Sequence, residues 1–178
     1  VKNLTIDDVK KIDPFSEDIT KIFDKRKELN AWDVFNEKNL EIEDAVWLLC
    51  FAPWLDDGVK RRYAVWTAST MLTKHKVLKT PLWTALGKAN EYSYGMVSSK
   101  KIEELFFQIS EGLIKIARTP EEKVDSFAYG IWDTVNSAVS VDDSEAMWGT
   151  IFNSGWSHEV DWKSHIKIIK QLMRTIYL

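Results

Sequence analysis

Three side chains near the end of the chain have the chemistry to hold a transition metal. His158, Asp161 and His165 stand at i, i+3 and i+7, so an unbroken helix would project them from one face. Imidazole and carboxylate suit a divalent ion. The spacing opposes this, because i and i+7 lie about 10 Å apart along a helix axis, and a bend is expected between Glu159 and Trp162. They read as surface histidines near a helix junction, with no metal or other cofactor expected. His75 lies between Lys74 and Lys76 at the expected end of a helix, where a cation favours the dipole. Cys50 sits inside Trp47-Leu48-Leu49-Cys50-Phe51 with no neighbouring charge to lower its pKa, which predicts an inert core thiol. The acid pairs Asp7-Asp8, Asp56-Asp57, Glu121-Glu122 and Asp142-Asp143 each precede or open a helix, where carboxylates stabilise the N-terminal dipole. The sequence has no Gly-rich phosphate loop, no Gly-x-Ser-x-Gly elbow and no His-Glu-x-x-His. Nor does it place a base beside a nucleophile. The chain reads as a non-enzyme.

Charge is the second chemical signal, and it comes in blocks. Residues 1–57 carry 8 basic and 14 acidic groups, and residues 58–118 carry 11 and 4. Residues 119–162 carry 1 and 9, and residues 163–178 carry 4 and none. One reading is neighbouring acidic and basic helices that neutralise each other, with charged faces in water. The other is a divided surface that steers a charged partner. Nucleic acid is the alternative partner, met by Lys60, Arg61 and Arg62, by Lys100 and Lys101, and by the stripe Lys163, Lys167, Lys170 and Arg174. An overall acidic balance and the lack of a known binding motif weigh against it. Membrane docking is not expected, since the last helix needs its apolar face for the core.

The elements that must position these groups are helices. The 178 residues fit one domain, 1–178, and 45% hydrophobic with 29% charged composition can bury a core. Seven glycines and four prolines are few for a many-turned β-sandwich. Thr5 with Asp8 opens a short helix to about Ile12, and Ser16 caps a second carrying Ile19, Ile22 and Phe23. Asn30 caps a third; the apolar run Ala45 to Phe51 behind Asp44 reads as a buried helix. Asp57 starts a long helix with Val59, Tyr63, Trp66, Thr70 and Val77 roughly on one side. Thr80-Pro81 supplies a cap and a first-turn proline, and Gly95 stops that helix. Ser98 or Ser99 caps the next, and Thr119-Pro120-Glu121-Glu122 is the clearest start in the sequence. Asp142 with Glu145 begins the penultimate helix, and Trp162 to Leu178 forms the last. Gly149 and Gly155 are expected to allow close helix packing. No segment alternates as a strand should, so the expected fold is all-α, a single-domain array of about eight to ten helices. One cysteine, no apolar run near ~18 residues and charges in the first twelve positions suggest a cytoplasmic protein.

One order of features resembles a known family. Ala31-Trp32-Asp33 precedes Asp44-Ala45-Val46-Trp47-Leu48-Leu49, then Lys60-Arg61-Arg62-Tyr63-Ala64-Val65-Trp66-Thr67-Ala68, then a Pro81-led helix with Ala85 and Ala89. Over residues 13–100 this resembles the small all-helical immunity proteins of toxin-associated and bacteriophage genes. Where that family has alanine repeats, this chain has Phe106, Phe107, Phe127, Trp132, Trp148 and Trp156. The resemblance implies a protein partner, a toxin or a defence factor, and supplies no catalytic residues. Nine tryptophans are mostly expected in the core. The aromatics near turns, Trp54, Tyr92, Tyr94 and Trp162, are the expected partner-binding anchors, and a homodimer through an aromatic patch is compatible with each reading.

Overall fold

A computed structural model describes residues 3–12, 17–24, 26–37, 40–117, 126–154 and 162–177. Among these are ten α-helices and one two-stranded ribbon. The chain is all-α with that minor exception. It forms two compact units: Val1–Asp56 with Asp161–Leu178, and Asp57–Val160.

In the first unit, β1 (Leu4–Thr5) pairs antiparallel with β2 (Glu28–Leu29), Leu4 opposite Leu29. Two residues per strand are too few to show alternation, which is why the sequence pattern missed the ribbon. Each strand leads into a helix through a capping box. Thr5 and Asp8 exchange bonds at the start of α1 (Ile6–Lys11), with Thr5 N–H donating to Asp8 Oδ2 at 3.0 Å. Asn30 Oδ1 accepts from Trp32 and Asp33 N–H at 2.9 and 3.0 Å at the start of α3 (Ala31–Asn36). Between them, α2 (Glu17–Lys21) and a short 3-10 turn (Ile22–Asp24) bury Ile19, Ile22 and Phe23 as the spacing predicts. The Ser16 cap lies outside the described residues. The centre of this unit is α4 (Ile42–Phe51), buried without interruption from Asp44 to Cys50. It begins two residues before Asp44, and α2, α3 and α10 (Trp162–Tyr177) pack on it. Cys50 is fully buried.

The second unit is five helices: α5 (Asp57–Lys74), α6 (Thr80–Ser93), α7 (Ser99–Ala117), α8 (Ser126–Ala138) and α9 (Asp143–Ser154). Helix α5 packs against α6, α8 and α9, and its core includes Ala64, Ala68, Leu72, Leu82, Leu86, Ile102, Val135 and Ala146. Small residues at the contacts let the backbones approach. Trp66 and Thr70 face out, contrary to the expected stripe, and Lys60 and Arg61 take inward places. Helix α6 starts at Thr80 with Lys79 as its N-cap and no side-chain capping bond, one residue earlier than Thr80-Pro81 suggests. Asp142 caps α9 as expected, accepting from Glu145 N–H at 2.8 Å. The Thr119-Pro120-Glu121-Glu122 start lies outside the described residues.

Helices α5 and α6 end in the same hydrogen-bonded closure. After α6, Gly95 takes φ +70°, its N–H donates to Tyr92 O at 2.8 Å and Met96 N–H reaches Glu91 O at 3.0 Å. After α5, Val77 N–H reaches Leu72 O at 2.9 Å and Lys76 N–H reaches Thr73 O at 3.1 Å. Here the left-handed residue is Lys76, φ +53°, where glycine would be unstrained. Each closure satisfies carbonyls at the helix end and turns the chain off the helix axis.

Two glycines show opposite roles. A methyl at Gly112 on α7 would overlap the Trp132 ring on α8, so the close approach of these helices needs glycine there. Gly87 on α6 has open space around it. At Gly149 a methyl would come within 3.0 Å of Ser137 Oγ, in line with the expected close packing; Gly155 lies outside the described residues. Gly112→Ala is expected to cost about 1–2 kcal/mol, overpacking outweighing the gain in helix propensity, whereas Gly87→Ala gains about 0.5–1 kcal/mol. Urea unfolding midpoints of the two variants check this, and opposite signs are the required result.

Candidate functional site

The run Lys60-Arg61-Arg62 divides between the interior and the surface. Arg61 is 0% exposed. Its Nε donates to Asp143 Oδ1 at 2.6 Å, its Nη1 to Ala138 O at 2.9 Å, and its Nη2 makes a longer contact to Val141 O at 3.4 Å. The guanidinium also lies over the Tyr92 ring, 5.4 Å from its centre. Ala138 is the last residue of α8 and Asp143 the first of α9, so the cation sits against a helix C-terminus and a carboxylate. Lys60 is buried beside it, donating to Ser144 Oγ at 2.8 Å and lying 3.4 Å from Asp57 Oδ1. These two residues are therefore structural and closed to phosphate, which corrects their place in the nucleic-acid reading. A charged run on a helix normally faces water; these turn inward because the α8–α9 connection supplies partners.

Arg62 is half-buried, and its guanidinium stacks over the Tyr94 ring at 5.0 Å while Nη1 donates to Ser93 O at 3.3 Å. The α6–α7 turn and the α8–α9 turn thus meet at adjacent arginines of α5. Together they display Tyr94, Met96 and Val141, which are 59%, 72% and 44% exposed. Tyr94 is one of the expected anchors and is exposed, whereas Met96 and Val141 were not among them. Gly95 was the available signal for Met96, since the residue after a left-handed closure leaves the helix. Val141 had none.

The other expected residues lie elsewhere. Trp54 is 2% exposed in the turn after α4, with its N–H on Ala52 O at 2.8 Å, so it offers no surface to a partner. Proximity to a turn placed it outside, but tryptophan bulk fills the interior there. Tyr92 is partly buried, packed on the core beneath Arg61. The side chains of Trp162 and Lys163 lie outside the described residues, as do His158 and Asp161. Lys100 is exposed, Lys101 pairs with Glu104 at 3.0 Å, and on α10 Lys167 and Arg174 are exposed while Lys170 is partly buried. His165 is buried on α10. Among the described residues no group of three His, Cys, Asp or Glu side chains could hold a metal ion, and no helix is long and apolar enough to cross a membrane.

The chain matches no protein-family model, no curated protein and no solved structure. The surface must therefore be read from its own chemistry. Tyrosine, methionine and arginine are the residue types that protein interfaces favour, and here they stand on turns braced from within.

Two carboxyls carry the electrostatic strain of this unit. Burial pushes Asp143 above its ordinary 3.8, while the charge and hydrogen bond of Arg61 pull it down and Asp57 and Asp142 push it up; the balance is upward. Asp133 on α8 is raised by burial alone, and it has no hydrogen-bond or ion-pair partner among the described residues. Removing one member of the buried pair leaves the other uncompensated, so Arg61→Ala is expected to lose about 3–5 kcal/mol. Arg61→Met combined with Asp143→Ala should lose much less, and a double-mutant cycle in urea reads the difference. For Asp133 the folded state holds its proton to higher pH than the unfolded chain. Its contribution to stability is therefore full below 3.8 and is lost as pH rises through the raised value. Asp133→Asn should be more stable than the parent at about pH 7 and equal to it at about pH 3, by urea midpoints across that range.

Proposed function

We propose that the chain is a non-enzymatic protein-binding module, an immunity or inhibitor protein that neutralises a toxin or a defence factor. The observation that carries this is the exposed Tyr94 ring stacked on Arg62, with Met96 exposed in the same turn and Val141 exposed on the turn that Arg61 holds. Interfaces draw most of their energy from a few aromatic and arginine anchors on surfaces that do not reorganise. Tyr94 is such an anchor: large, exposed and stacked on Arg62. The two turns that present the patch are tied to α5 by Arg61 and Arg62, which lowers the ordering cost of binding.

The resemblance of residues 13–100 to immunity proteins supplies the class of partner. Both the Lys60-Arg61-Arg62 start and the Pro81-led helix of that resemblance lie on the helices that build the patch. The nucleic-acid reading keeps Arg62, Lys100, Lys167 and Arg174 but loses Lys60 and Arg61, its most basic run. Steep linear weakening of DNA or RNA binding in log salt would restore it.

The test is affinity capture from cells of the source organism with the intact chain and with the Tyr94→Ala, Met96→Ala double variant. The intact chain should retain a protein partner at moderate salt, and the double variant should bind it at least about thirtyfold more weakly, or about 2 kcal/mol. Both side chains are exposed, so stability by urea unfolding should fall by no more than about 1 kcal/mol, the loss of the Arg62–Tyr94 stacking. Retention of the partner by the double variant would remove this surface from the interface.

A further inference from the structure

We propose that the turn between α5 and α6 is a second docking surface, which takes an acidic protein segment carrying an apolar side chain. From residue 58 to residue 90 the chain has seven basic residues and no acidic one. Four are hydrogen-bonded or ion-paired: Lys60 with Ser144, Arg61 with Asp143, Arg62 with Ser93 O, and Lys88 with Glu91 at 2.7 Å. Lys74, Lys76 and Lys79 remain, all exposed. Among the described residues their ammonium groups have no ion pair or hydrogen bond, and Lys79 alone has a ring contact, 5.5 Å from the centre of Trp132. Between them Leu78 is 88% exposed.

The turn that displays this group is fixed. Val77 packs back on the core and its N–H closes on Leu72 O at 2.9 Å. The Trp83 indole donates to Val77 O at 2.8 Å. Residue 78 therefore leaves a braced turn, and it does so about 20 Å from the Tyr94 patch, the length of α6. The two surfaces stand or fall separately.

The chemistry selects the occupant. Three lysines with no ion pair or hydrogen bond among the described residues attract an anionic surface. A phosphate backbone would satisfy them but leave Leu78 in water, and the Trp83 N–H is already committed. A membrane-surface element presents a whole apolar helix face to the lipid, and here there is one leucine with the partly exposed Trp83 ring beside the turn. An acidic segment with an apolar side chain answers both the charges and the leucine.

The intact chain is titrated with fluorescein-labelled peptides: one of glutamates with leucine at every fourth position, and an all-glutamate peptide of equal length. The leucine-bearing peptide should bind about tenfold more tightly than the other and weaken as salt rises from about 50 to about 300 mM. Leu78→Ser should remove that tenfold preference. Lys74→Gln with Lys76→Gln, which spares the Lys79–Trp132 contact, should weaken both peptides and flatten the salt dependence; this pair decides the outcome if Leu78→Ser shifts the urea midpoint. Failure to bind at low salt, equal affinity for the two peptides, or tighter binding to single-stranded DNA or phosphatidylserine vesicles would each overturn the proposal.

Discussion

A guanidinium buried to zero exposure organises the second unit. A buried guanidinium without partners is costly, so the fold must satisfy it. It does so with Asp143 and with carbonyls at the end of α8 and in the connection to α9. The same requirement explains why α5 buries charged residues near its start, why α9 begins with an acid, and why Tyr92 lies against the cation. Such an arrangement is weak evidence for net stability, since desolvation offsets much of the attraction. Its effect is positional: few other places in the bundle could accept α5 in this register.

Around that node the helices are held by small contacts and short polar links. Ser110 Oγ meets Asn136 Oδ1 at 2.8 Å between α7 and α8, and Asn153 Nδ2 meets Ser137 Oγ at 2.8 Å between α8 and α9. Thr134 satisfies its buried hydroxyl within its own helix, donating to Gly130 O at 2.7 Å. Gly112 admits the Trp132 ring where any side chain would exclude it. These contacts fix distances between helices, and so fix where the turns at each end emerge.

The functional reading follows from those turns. Left-handed closures at Lys76 and Gly95 redirect the chain and expose Leu78 and Met96 just beyond them. An interaction surface on such a scaffold consists of side chains the core could not use, mounted on backbone that the core holds still. The two proposed recognition surfaces are exposed apolar side chains at braced turns.

Helix starts were legible because they are local. Thr5 with Asp8 and Asp142 with Glu145 act across three residues, and Asn30 caps α3 as its residue type suggests. Apolar spacing likewise identified Ile19, Ile22 and Phe23 as one buried group, since helical period alone determines which positions share a face. The inward turn of Lys60 and Arg61 was not legible, because it depends on Asp143 and Ala138, about eighty positions away in the chain, arriving beside them. Trp54 and Tyr94 both lie near turns, yet one is interior and the other open. The residue sequence settled where helices form and which residues are apolar; the packing of helices settled which charges are enclosed and which rings meet water, because enclosure depends on neighbours that only the folded chain brings together.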